Sequence, residues 1–184
     1  RNEIRTKYMI KDNEILLGHI GRFTYQKNQE FLLDLINKLP SKYKLMMVGD
    51  GENFENINKM IIDRNLKDRV VLTGIVNNTN EFYSSFDLFV LPSRWEGLPV
   101  VGLEAQANGL YSVMSNNIDK NVNIINKVDF LNIDNIDKWV EVINFIINSK
   151  KNINREQDTA LFDINGINIE IEADKLEKIY LGKE

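Results

Sequence analysis

The amino-acid sequence predicts a doubly wound α/β fold: one parallel sheet of about six strands with helices on both faces. Three observations carry this prediction. Short apolar runs and amphipathic helical stretches alternate at least five times. The connections between them are only a few residues long, and right-handed crossovers then generate a parallel sheet. The run Ile15-Leu16-Leu17-Gly18-His19-Ile20 is almost unbroken in apolar residues, as a strand covered on both faces requires.

Taken in order, residues 1–13 are charged and mixed and read as a linker or the tail of a preceding helix. After the first strand comes the loop Gly21-Arg22-Phe23-Thr24-Tyr25-Gln26-Lys27-Asn28, with two cations. A helix over Gln29–Leu39 follows, with Phe31, Leu32, Leu35, Ile36 and Leu39 on one stripe and Pro40 as terminator. Lys44–Val48 is the second strand, closed by the tight turn Gly49-Asp50-Gly51. An amphipathic helix from Glu52 to Asn65 precedes the third strand, Val70–Gly74. Asn78 with Glu81 resembles a capping box and opens a short helix to Phe86.

Leu88-Phe89-Val90-Leu91 is the fourth strand, stopped by Pro92, and Pro99 opens a helix as its first residue, running to Asn108. Tyr111–Met114 gives a fifth strand, Val122–Asn126 a weak helix and Val128–Leu131 a short sixth strand. Asn135–Asn148 is a clear helix with Trp139 on its buried stripe. Lys150–Glu156 is a charged connector, and a last helix runs from Ile167 to Leu181. Residues 1–184 thus read as a single domain: a linker to 13, a core over 14–148, and a connector with a terminal helix over 149–184.

Composition narrows the function. Hydrophobic content of 43% and charged content of 27% suit a globular chain. A net charge of −4 argues against a general nucleic-acid binder, so any anion site must be local. The absence of cysteine excludes disulfides and thiolate metal sites and suits the cytoplasm. No apolar run approaches the ~20 residues that span a bilayer. The start at Arg1, with no methionine or signal-like segment, suggests a piece of a longer protein.

The loop after the first strand holds only Gly21, so a G-x-G-x-x-G dinucleotide site is absent, as is a P-loop. The one histidine, His19, reads as a core residue, and no cluster has metal-ligand spacing. What remains is a diphosphate held by Arg22, Lys27 and the amino end of the Pro99 helix, where backbone N–H groups and the helix dipole favour an anion. Glu104 leans back toward the strand ends and suits the two hydroxyls of a ribose, while Glu96 in the loop suits a sugar. The bland alternatives are solvated surface charges for these four, and loop packing or an exposed lip for Arg94 and Trp95.

GRFTYQKN, VGDGE, VVLTG and DLFVLPSRWEGLPVVGLEAQANG, in this order, resemble the donor-binding half of retaining glycosyltransferases of family 4. The likeness is strong over Asn13–Val113 and looser to Tyr180, and is nearest to enzymes of bacterial capsular and exopolysaccharide synthesis. It implies a Rossmann-like domain, one half of a GT-B architecture. Arg22 and Lys27 would hold the donor diphosphate together with backbone at Gly97, Leu98 and Val100. Glu104 would bind the ribose, Thr73, Gly74 and Ile75 would face the nucleobase, and Glu96 would be the catalytic residue beside the transferred sugar.

The resemblance further implies transfer of a hexose-type sugar from a nucleoside-diphosphate donor to a glycan or lipid-linked acceptor. No metal or other cofactor is expected, since the cation pair replaces one. The acceptor would sit on an N-terminal half outside this chain, which could also bring peripheral membrane association at the inner face; the fragment alone would be inactive. Pro99 departs from the glycine common in the family and removes one N–H, whereas Tyr111, in place of a common proline, is neutral. Two other readings share these residues: a sugar-nucleotide epimerase of the same plan, and a non-catalytic nucleotide-binding module.

Overall fold

The computed structural model describes residues 1–149, 159–164 and 166–182; the expected connector at 150–156 lies outside the described residues. Six strands form one parallel sheet: β1 (Ile15–Ile20), β2 (Tyr43–Val48), β3 (Val70–Leu72), β4 (Leu88–Leu91), β5 (Ser112–Ser115) and β6 (Val128–Leu131). Their order is β3-β2-β1-β4-β5-β6. The winding direction therefore reverses between β1 and β4. In open α/β sheets the crevice at that reversal, outside the carboxyl ends of the strands, is where ligands bind.

The helices are α1 (Asn2–Lys7), α2 (Gln29–Lys38), α3 (Phe54–Asp63), α4 (Thr79–Ser85), α5 (Val100–Ala107), α6 (Ile136–Asn148), α7 (Thr159–Ile164) and α8 (Ile169–Tyr180). Strand side chains alternate between two cores, as the pleat requires. Leu17, Leu45, Met47, Leu88, Val90 and Val113 face α2, α3 and α6, where Trp139 meets Phe31 edge-on at 5.0 Å. Leu16, Met46, Val48, Phe89, Leu91 and Met114 face α1, α4 and α5. Each such fully buried apolar side chain contributes roughly 1.5–3 kcal/mol. Against β1 the helix layer is so close that a Cβ at Gly18 would lie 2.0 Å from the Phe86 ring.

The structure departs from the sequence reading in several places. Of the two readings of residues 1–13, linker or helix tail, part is a helix: α1 docks through buried Ile4, and the turn after it through buried Ile10. No helix forms at Val122–Asn126; a single 3-10 turn, Lys120–Val122, stands there. The reason is buried Gln106, whose amide donates to the Val122 carbonyl at 2.6 Å and whose oxygen accepts from Ile124 and Ile125 at 3.0 and 3.3 Å. Those contacts occupy backbone groups that a helix would have paired internally. A short α7 precedes the terminal helix, which starts at Ile169 behind Asn168, whose side chain accepts from the Glu170 amide. Finally, Asn78 caps α4 by accepting from Asn80, and its side-chain amide donates to Glu81 at 2.9 Å, a variation on the expected capping box.

Candidate functional site

Two loops leave the sheet at its reversal point. One runs from β1 to α2 over residues 21–28, the other from β4 to α5 over residues 92–99. They are laced together by hydrogen bonds between groups far apart in sequence. The Arg94 amide donates to the Gln26 carbonyl at 2.8 Å, and the Gln26 side chain donates to the Trp95 carbonyl at 2.9 Å. Asn28, in the left-handed region at φ 58°, donates from its side chain to the Pro92 carbonyl at 3.1 Å and accepts from Arg94 at 2.9 Å. The Arg94 guanidinium also lies over the Tyr25 ring, 4.2 Å from its centroid. Arg94 is thus structural to the crevice, while Trp95, half exposed against Tyr25, forms the lip.

This lacing brings Lys27 and Glu96 together. Lys27 Nζ is 2.6 Å from Glu96 Oε1, with side-chain exposures of only 15% and 11%. The same oxygen accepts from the hydroxyl of Ser93, a fully buried residue, at 2.8 Å. Backbone pairing of Glu96 with the segment after β5 fixes the carboxylate further, its amide reaching the Asn117 carbonyl at 3.5 Å. Such a pair is attracted strongly only because water is largely excluded from it. Ser93 was invisible as a site residue in the sequence, since a serine after a proline reads as an ordinary loop residue.

Beneath the pair, His19 is a satisfied core residue. Its Nδ1 lies 3.1 Å from the Val90 carbonyl and its Nε2 3.3 Å from the Gln29 side-chain nitrogen, which also donates to the Arg22 carbonyl. Burial, the Val90 contact opposing it and the nearby Lys27 charge adding to it, pushes the imidazole down to about 4. At neutral pH it is uncharged and supports the loop.

Pro99 is not the first helical residue as expected. It is the N-cap of α5, at φ −74° and ψ 113°, and its carbonyl accepts from Gly102 at 2.9 Å and Leu103 at 3.3 Å. An N-cap is extended and needs no N–H of its own, so the ring removes nothing from the first turn. Among the described residues the amides of Gly97, Leu98 and Val100 find no acceptor within the fold, and these three residues are exposed. Gly97 and Leu98 precede the N-cap and Val100 is the first residue of α5, at the positive end of its dipole.

The remaining candidates stand apart from that pair. Glu104, in the second turn of α5, is half-buried and accepts at Oε2 from the Tyr83 hydroxyl at 2.8 Å. Arg22 is exposed, its stem passing over Gly51. Thr73 donates to the Gly74 carbonyl, Gly74 takes φ +70°, and Ile75 projects into solvent at 79% exposure. These three follow β3, and Gly49 ties them to the β2 turn by donating to the Gly74 carbonyl at 3.0 Å. At φ +127° Gly49 admits the Gly21 carbonyl 2.2 Å from where a Cβ would sit, so the loops after β1, β2 and β3 converge on one glycine.

Comparison with known proteins gives a consistent picture. Residues 1–160 match the family model described as glycosyl transferases group 1. The chain is 30% identical over 194 residues to the capsular polysaccharide biosynthesis glycosyltransferase CapH of Staphylococcus aureus, covering 99% of this chain and 51% of that protein. It is 28% identical over 190 residues to the Escherichia coli UDP-Gal:alpha-D-GlcNAc-diphosphoundecaprenol alpha-1,3-galactosyltransferase, covering 98% and 49%. The chain therefore spans about half the length of these two relatives. Among solved structures, HepE of Anabaena in complex with UDP-glucose superposes with a TM-score of 0.78 at 20% identity, over 96% of this chain and 52% of that one. At that identity the likeness is one of fold.

Proposed function

The chain belongs to the glycosyl transferases group 1 family, and from that premise we propose that it is the donor-binding domain of a retaining glycosyltransferase, holding a nucleoside-diphosphate sugar where β1 and β4 diverge. The observation that carries the reading is the shielded Lys27–Glu96 pair at the carboxyl ends of those two strands. Without ligand, each charge is neutralised by the other. An arriving diphosphate draws the Lys27 ammonium to itself, which releases Glu96 to accept hydrogen bonds from the transferred sugar. Arg22 joins the diphosphate from the solvent side, and the amides of Gly97, Leu98 and Val100 complete its cradle. Departure of the diphosphate develops negative charge on it, and these oriented donors stabilise that charge without a metal.

Glu104 then grips the ribose, and Thr73, Gly74 and Ile75 offer the nucleobase a partly apolar ledge. The sugar is a hexose, transferred with its anomeric configuration kept, to a glycan or lipid-linked acceptor of a cell-surface polysaccharide. Acceptor contacts belong to a further half of the enzyme, at the inner face of the membrane; among the described residues no helix is long and apolar enough to cross one. The UDP-linked sugars named for two of the similar proteins make uridine diphosphate the first probe.

Titration calorimetry with uridine, guanosine and adenosine diphosphates tests the reading. Binding of at least one is expected, and binding of none would sink it. Lys27→Ala is expected to weaken that binding at least about tenfold, since it removes the shielded cation. Undiminished affinity would take Lys27 out of the site.

A further inference from the structure

Tyr83 lies in α4 with its side chain fully buried, packed against Phe86 and Phe89 with ring centroids 6.1 and 5.8 Å away. A tyrosine so placed must find a partner for its hydroxyl. Two acceptors are in reach: Glu104 Oε2 at 2.8 Å and the Val101 carbonyl at 3.2 Å. The hydroxyl has one proton, and the carboxylate is both the nearer and the charged acceptor, so Glu104 receives it. Burial first, and the Glu104 charge second, hold this hydroxyl well above the ordinary tyrosine range, which keeps it a donor.

Glu104 itself needs such a partner. It sits between buried Leu103 and Ala105 on a helix that is otherwise apolar at this level, and it is half-buried. A glutamate has three side-chain torsions, and accepting from both hydroxyls of a ribose demands one orientation of the carboxylate. The Tyr83 bond fixes Oε2, which keeps a second lone pair. Among the described residues nothing bonds Oε1.

We propose that Tyr83 is a positioning residue: its buried hydroxyl pins one oxygen of Glu104, so that the carboxylate is already oriented for a vicinal diol and selects ribose over dideoxyribose. This rests on the reading of Glu104 as the ribose ligand. Tyr83 itself touches no ligand. Pre-organisation of this kind acts by sparing the ligand the ordering of a mobile side chain, and is worth roughly three- to tenfold in affinity.

The test compares uridine diphosphate with its dideoxyribose analogue by calorimetry, with the guanosine and adenosine pairs alongside, on the unaltered 184-residue chain, Tyr83→Phe and Glu104→Ala. Tyr83→Phe keeps the packed ring. It is expected to weaken the ribonucleotide roughly three- to tenfold while leaving the dideoxy form unchanged, and Glu104→Ala is expected to erase the preference. A variant that merely loosens the fold would weaken both ligands alike, and that result would overturn the proposal. So would a full ribose preference in Tyr83→Phe alongside its loss in Glu104→Ala. If Glu104→Ala keeps the preference, the ribose role of Glu104 falls and Tyr83's falls with it, while the donor-domain reading stands. Failure of the unaltered chain to bind any of the diphosphates would instead remove the donor-domain reading and this inference together.

Discussion

His19 shows what one buried titratable residue does to this fold. Its ring is paired on both sides only in the neutral state, with Nδ1–H toward the Val90 carbonyl and Nε2 accepting from Gln29. In the unfolded chain the imidazole takes up a proton near 6.5, whereas in the fold, chiefly through burial, it does so only at about 4. Between those values the unfolded state binds more protons, so stability present at neutral pH is lost as pH falls from about 6.5 toward 4, by roughly 3 kcal/mol in all. His19→Asn keeps a donor near Nδ1 but no titration. Urea midpoints measured from pH 7 to pH 4 are expected to fall less steeply in that variant, and parallel curves would contradict the assignment. The histidine was legible as a core residue from its apolar strand. Its partners were not, because Val90 lies 71 residues away and Gln29 reaches it only once α2 has docked.

Among elements, α1 depends on a polar anchor rather than on its apolar area. Asp87, at the entry to β4, accepts from the Leu16 amide at 2.7 Å and from Arg5 at 3.2 Å. Arg5 has a side chain only 6% exposed and donates also to the carbonyls of Lys11 and Glu14. Removing the carboxylate leaves a buried guanidinium without its counter-charge and a strand amide without its acceptor, which costs about 3–5 kcal/mol. Arg1, the outer partner of Asp87, is 41% exposed, and its loss costs about 1 kcal/mol or less. Asp87→Ala is accordingly expected to lower the denaturation midpoint far more than Arg1→Ala, and equal effects would show that α1 is held by Ile4 and Ile10 instead. The strands were legible because apolar runs of four to six residues have few other uses. The segment holding the six-residue α1 read equally as a linker or a helix tail because its anchor is a charge pair across the fold, and Pro99 was placed one position too far into α5 because its fixed φ fits cap and first turn alike.

At the scale of the whole molecule, the sheet order turns scattered loop residues into one site. The sequence could say that Arg22, Lys27, Gly74 and Glu96 all follow strands, hence share an edge. It could not say that β1 and β4 are neighbours, which is what sets Lys27 against Glu96. The same architecture divides the C-terminal part into a piece the core needs and a piece it does not. Leu161, Phe162 and Ile167 pack against the core face of α1, α4 and α5. Helix α8 buries none of its residues, and Ile169, Leu176 and Ile179 are 78%, 52% and 73% exposed. Deleting residues 169–184 therefore removes almost no apolar burial, and the melting temperature is expected to move by less than about 2 °C. Deleting residues 159–184 also strips, among the described residues, the partly buried Leu161, Phe162 and Ile167 from that face, at about 1 kcal/mol each, and is expected to lower it by about 5–10 °C. Thermal melts of the two truncations followed by circular dichroism decide the matter. A large drop on losing α8 alone would mean that this helix stabilises the domain through contacts other than burial.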